Sequence, residues 1–74
     1  MLFTGEEISI DLENDKIIHE VNEPTFMTDR KRETLRINKD GYYYLHTNND
    51  RENELIHTES FIIKEWAKEN GVEL

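Results

Sequence analysis

The chain has 74 residues, no cysteine and a formal net charge of −8. That length makes one thin-cored domain, which buries only about 60% of its unfolded surface, and the absence of cysteine excludes disulfides and thiolate metal sites as staples. Charge of this sign repels nucleic acid and anionic membranes and attracts basic surfaces. The start, MLFTGEEIS, lacks the basic and apolar regions of a signal peptide, and nowhere do roughly 18 apolar residues run together as a membrane span requires. The cysteine-free composition fits a reducing cytoplasm.

Residues 1–29 hold eight acids against one base, residues 30–39 five bases against one acid, and residues 40–74 eight acids against three bases. Along that charge pattern, Ile8, Ile10 and Leu12 alternate with Glu7, Ser9, Asp11 and Glu13, which predicts a half-buried strand. Glu13-Asn14-Asp15-Lys16 is turn chemistry, and Ile17–Val21 reads as the returning strand of a first hairpin. Asn22 to Asp29, with the only proline at 24, reads as a connection from which Phe26 and Met27 tuck back onto the core.

A second hairpin pairs Thr34–Ile37 with Tyr42–His46 across Asn38-Lys39-Asp40-Gly41, where Gly41 suits the positive φ of a three-residue loop with a G1 bulge. In that register Ile37 faces Tyr43 and Leu35 faces Leu45 on one side, while Arg36 faces Tyr44 and Thr34 faces His46 on the other. The expectation is therefore Tyr43 inward, Tyr42 and Tyr44 outward, with Arg36 stacked on the Tyr44 ring. Thr47–Glu54 is polar and reads as a loop, and Leu55-Ile56-His57 as a short fifth strand. Thr58 or Ser60 is placed to cap a helix whose buried stripe is Ile62, Ile63, Trp66 and Ala67. Gly71 follows as its C′ residue, with Val72 as the accompanying apolar contact.

The fold class expected is α+β: a small antiparallel sheet of two hairpins with a short fifth strand, and one C-terminal helix packed on one face. Ile8, Ile10, Leu12, Ile37, Tyr43 and Leu45 then bury against Ile62, Ile63 and Trp66. The other face of the sheet is left to water or to a partner.

Catalytic and cofactor motifs are missing. Asp11–Asp15 opens like a calcium loop, but Lys16 stands where glycine is required and Asn22 where glutamate is. His19, His46 and His57 share no metal spacing, Ser9 and Ser60 sit in no nucleophile elbow, and three glycines build no phosphate loop. The expectation is a non-enzyme with no metal and no cofactor. The basic run Arg30-Lys31-Arg32, followed by Arg36 and Lys39, reads as internal charge balance, with phosphate contact as the alternative. The acidic face is the remaining candidate: Glu7, Asp11, Glu13, Asp15 and Glu20, joined by Asp50, Glu52 and Glu54 and by Tyr42 and Tyr44 as aromatic anchors for a partner.

In length, absence of cysteine, richness in Asn, Asp, Glu, Lys and Ile, a single alanine (Ala67) and clustered acids, the chain resembles the small host-takeover proteins of phages of low-GC Gram-positive bacteria. Among these are staphylococcal-phage DNA mimics that inhibit the bacterial sliding clamp. The resemblance implies an inhibitor in the host bacterial cytoplasm that fills the clamp's basic DNA channel and keeps DNA out. The alternative reading is a homodimeric structural or regulatory interaction module with Tyr42, Tyr44 and Phe61 at its interface and acids that only solubilise.

Overall fold

The computed structural model describes residues 2–24, 30–49 and 54–74. Five strands form one mixed sheet: β1 (Leu2–Thr4), β2 (Lys16–Pro24), β3 (Arg30–Ile37), β4 (Tyr43–Asn49) and β5 (Glu54–His57), followed by one helix, α1 (Ser60–Glu69). The order across the sheet is β1-β5-β4-β3-β2. Neighbours pair antiparallel from β2 to β5, while β1 runs parallel to β5 with Leu2 opposite Leu55 and Thr4 opposite His57. The α+β class holds, and among the described residues no helix is long and apolar enough to cross a membrane.

The β3–β4 hairpin forms in the register expected from its turn. Ile37 pairs with Tyr43, Arg36 with Tyr44, Leu35 with Leu45 and Thr34 with His46. Asn38 N–H donates to the Tyr42 carbonyl at 2.9 Å, and Gly41, at φ 85°, donates to the Asn38 carbonyl at 3.1 Å. Glycine reaches that φ without the Cβ clash other residues meet. The Asn38 amide fixes the loop from within, its Oδ1 accepting the N–H groups of Asp40 and Tyr42, both at 2.9 Å. The polar stretch expected as a loop from Thr47 to Glu54 is shorter: Thr47–Asn49 extends β4 and Glu54 begins β5.

One core lies between the sheet and α1. Leu35 and Leu45 pack with Ile63 and Trp66, and Ile18, Val21 and Val72 close the margins. His19, opposite Leu35 on β2, sets its ring against Trp66 in an edge-to-face arrangement with centroids 5.8 Å apart. The helix ends as its sequence predicts: Val72 N–H reaches the Ala67 carbonyl at 2.8 Å across Gly71 at φ 70°. Its start differs. Glu59, one residue after Thr58 and one before Ser60, occupies the N-cap without a side-chain bond. The single Thr58 hydroxyl hydrogen goes to the Glu6 carbonyl at 2.6 Å, with the Thr4 carbonyl also in range at 3.1 Å.

The largest departure concerns residues 6–15. Ile8, Ile10 and Leu12 are half-buried and Glu7, Ser9, Asp11 and Glu13 exposed, so the alternation is real, yet the segment belongs to no strand. Its route is set by topology. β1 and β2 occupy opposite edges, four strand spacings or about 19 Å apart, so their connection must traverse the sheet. It does so on the face opposite α1, the one expected to meet water or a partner.

That crossing reverses the tyrosines. Tyr44 is 0% exposed and its hydroxyl donates to Asp15 Oδ2 at 2.8 Å, whereas Tyr43 is 36% exposed. Burial, then the Asp15 carboxylate, push the Tyr44 phenol above its ordinary range. A ten-residue helix is only about 15 Å long and covers the middle of the β3–β4 pair, leaving Tyr43 beside the turn uncovered. Arg36 spends its guanidinium on the crossing segment, Nη1 donating to the Leu12 and Asp15 carbonyls at 3.1 and 3.2 Å. Ile56, also 0% exposed, completes this second buried layer together with Thr34. Phe26 and Met27 lie outside the described residues.

Asn38 links the hairpin turn to the crossing segment, since its Nδ2 also donates to the Ser9 carbonyl at 3.1 Å. Asn38→Ala removes all three bonds of a buried side chain, so urea denaturation should show a loss of about 2–3 kcal/mol at roughly 1 kcal/mol per bond. Lys39→Ala, one exposed residue further on, should stay within about 0.5 kcal/mol of the parent.

Candidate functional site

The crossing segment, residues 6–15, acts as a strap, and beside it lies a groove of about 590 Å³. Three separate parts of the chain bring carboxylates to its walls: Glu6 and Glu7 from the strap, Asp40 from the β3–β4 turn, and Glu59 from the N-cap of α1. Tyr42 and Tyr43 add aromatic surface, and among the described residues no lysine, arginine or histidine lines the groove. Tyr42 is 61% exposed.

The backbone under each carboxylate is fastened. Thr58 holds the Glu6 carbonyl at 2.6 Å and Asn38 the Ser9 carbonyl, so Glu7 is pinned from both sides. Asp40 rides on the turn that Asn38 braces. Gly5, at φ 90°, lets the strap leave β1; a Cβ there would stand 2.6 Å from Thr58 Oγ1 and 2.8 Å from Glu59 Cγ. Across the Ser9–Asn38 ridge a second groove of about 500 Å³ mixes signs, with Asp11, Asp15, Lys16 and Lys39 on its walls.

Of the acids expected to face a partner, Glu7 lies in the acidic groove and Glu13 is exposed on the strap. Asp11 is exposed but its carboxylate is engaged: Oδ1 accepts the N–H groups of Glu13 and Asn14, each at 3.1 Å, and Oδ2 accepts Asn14 Nδ2 at 2.9 Å. Bonding from the Asn14 side chain, then from the Glu13 backbone, holds its carboxyl below the usual value. Asp15 is half-buried, its Oδ2 shared between the Tyr44 hydroxyl and the Asp11 N–H. It therefore holds the fold together and is a poor contact for a partner. Glu20 is exposed on β2 and accepts Asn22 Nδ2 at 3.1 Å, on the opposite edge of the sheet from β1. Tyr44, buried beneath the strap, is corrected from partner anchor to core residue. Asp50 and Glu52 lie outside the described residues.

Glu54 stands on β5 with Oε1 3.7 Å from His46 Nε2. Burial lowers the His46 pKa below 6.5; Glu54 opposes the shift, while Arg36 and Arg32 add to it. Glu6, Asp40, Glu59 and Tyr43 were missing from the sequence-derived set. Asp40 and Glu59 had local signals, as a turn residue and a helix-start acid, but nothing local joins them to Glu6.

The His46 shift fixes a pH dependence. A folded-state pKa below the unfolded value means the unfolded chain binds the proton more readily. The contribution of neutral His46 is complete above pH 6.5 and declines as pH falls below it. The urea midpoint should drop between pH 7.5 and 5, and His46→Gln should make that drop shallower. Against this geometry, no protein-family description, curated protein or solved structure matches the chain.

Proposed function

We propose that this protein is a non-enzymatic inhibitor whose acidic surface takes the place of DNA in the basic channel of a DNA-binding protein, with the bacterial replication clamp as the first candidate. The observation that carries the reading is the groove walled by Glu6, Glu7, Asp40 and Glu59, with Tyr42 and Tyr43 and without a base. A net charge of −8 steers such a surface toward lysine- and arginine-rich partners and away from DNA itself. Steering alone gives rate more than affinity. Affinity needs charges already in place, because ordering flexible side chains and loops at an interface costs about 0.5–1.5 kcal/mol each. Here the turn, the strap and the helix start supply fixed backbone positions for the carboxylates, and Tyr42 supplies a rigid anchor of the kind enriched at interface centres.

A second reading is supported by apolar exposure. Phe61 is 64% exposed on α1 and Ile17 49% exposed on the edge strand β2. In that reading the chain is a homodimeric interaction module joined through such residues, and the carboxylates only solubilise it. Tyr44, fully buried, has no part in either interface.

The test is competition between this protein and duplex DNA for purified clamp. Inhibition predicts that the protein displaces DNA and that binding weakens as salt rises. The charge-neutral combination E6Q/E7Q/D40N/E59Q should weaken binding at least about tenfold, or about 1.4 kcal/mol, with a shallower salt dependence. Phe61→Ala should leave clamp binding intact. If the charge-neutral combination binds as tightly as the parent, mimicry is wrong. Dissociation of a dimer by Phe61→Ala or Ile17→Ser, with the clamp ignored, is what the second reading predicts.

A further inference from the structure

We propose that residues 6–15 form a strap that opens from the sheet as a unit of its own while the sheet and α1 stay folded. Among the described residues the strap's only backbone–backbone hydrogen bond is internal, from Asp15 N–H to the Asp11 carbonyl at 2.8 Å. The bonds from the strap to the rest of the protein, among the described residues, all come from side chains: Thr58 to Glu6, Asn38 to Ser9, Arg36 to Leu12 and Asp15, and Tyr44 to Asp15. A strand in a sheet would have to break a ladder to leave, whereas this segment breaks a handful of separate bonds.

Its apolar hold is also limited. Ile8, Ile10 and Leu12 are half-buried, while the residues of the helix-side core are nearly all buried. Half-buried apolar side chains and the lack of a ladder mark a unit that opens below the global unfolding free energy, at the cost of wetting Tyr44 and Ile56. The ends are suited to the motion. Gly5 at φ 90° forms one hinge, and the self-bonded turn Asp11–Asp15 moves as a knot at the other. The latch is at that knot, where the Tyr44 hydroxyl and the Arg36 guanidinium both meet Asp15.

The strap carries two of the four carboxylates in the acidic groove, Glu6 and Glu7. Its closed population therefore sets how much of that charge is presented at fixed positions. This last consequence rests on the function proposed above. The opening itself does not, and is tested without any partner.

The experiment is native-state cleavage of the full chain by a glutamate-specific protease, with first cuts located by mass spectrometry across low urea concentrations. Independent opening predicts early cuts after Glu6, Glu7 or Glu13 at rates nearly independent of urea, and cutting after Glu33, inside β3, only with global unfolding and therefore steeply urea-dependent. Tyr44→Phe keeps the ring and removes the latch bond. Because a hydrogen bond to a charged group contributes about 1.5–3 kcal/mol, strap cutting should speed up at least about tenfold. Ile63→Val, on the helix face, should accelerate cutting after Glu33 and leave strap cutting unchanged. The proposal is overturned if strap sites and Glu33 are cut at one rate with one urea dependence. It is equally overturned if Ile63→Val speeds both, or if Tyr44→Phe leaves strap cutting unchanged.

Discussion

The organisation of this protein follows from where the chain puts its first two strands. β1 pairs with β5 at one edge and β2 with β3 at the other, so residues 5–15 have to cross the sheet. The crossing buries polar main chain against a sheet face, and buried carbonyls need donors. Arg36, Asn38 and Thr58 donate to the carbonyls of Leu12, Asp15, Ser9 and Glu6, and Tyr44 adds a bond to the Asp15 carboxylate. In a chain of 74 residues this arrangement has a second benefit. It covers the face that α1 does not, which lets Tyr44 and Ile56 be fully buried where a two-layer fold would leave them wet.

The same crossing sorts the carboxylates by role. Asp11 and Asp15 close the turn at the far end of the strap and receive backbone, asparagine and tyrosine donors, so their charge is committed to the fold. Glu6 and Glu7, at the near end, are carried beside Asp40 and Glu59 around an uncompensated groove. Like charges brought together this way repel, and the repulsion is relieved by a cation or a basic surface. The division between structural and presented acids is the physical content of the proposed function. It also explains why Tyr42, exposed at the same groove, is a better anchor than Tyr44, which the strap covers.

Parts of this were legible in the sequence, and the reasons for the failures are specific. The β3–β4 hairpin was readable down to its register because Asn38 and Gly41 encode the turn locally. The helix end was readable for the same reason, through Gly71 and Val72. The alternation of Ile8, Ile10 and Leu12 reported half-burial correctly, but a period of two says only that one side meets apolar surface. Whether a strand lies alongside is a tertiary matter. Leu2–Thr4 is too short to carry a periodic signal, and its pairing depends on β5 from the far end of the chain. Tyr43 and Tyr44 were placed on the correct sides of the sheet but with their burial exchanged, because the strap covers Tyr44 on one face while the short helix leaves Tyr43 uncovered on the other. Glu7 and Tyr42, named from sequence, line the candidate groove. Glu6, Asp40 and Glu59 were not, since three distant segments converge there only in the fold.

The claim that the strap closes the second face of the sheet is tested most directly by a double-mutant cycle on the bond that joins them. Stabilities of the parent, Tyr44→Phe, Asp15→Ala and the double variant, measured by urea denaturation, give the coupling free of each residue's other contacts. A bond between the buried Tyr44 hydroxyl and the Asp15 carboxylate predicts single-variant losses that fail to add, with a coupling of about 1.5–3 kcal/mol. Additive losses, with a coupling near zero, would contradict it and place the strap off the sheet.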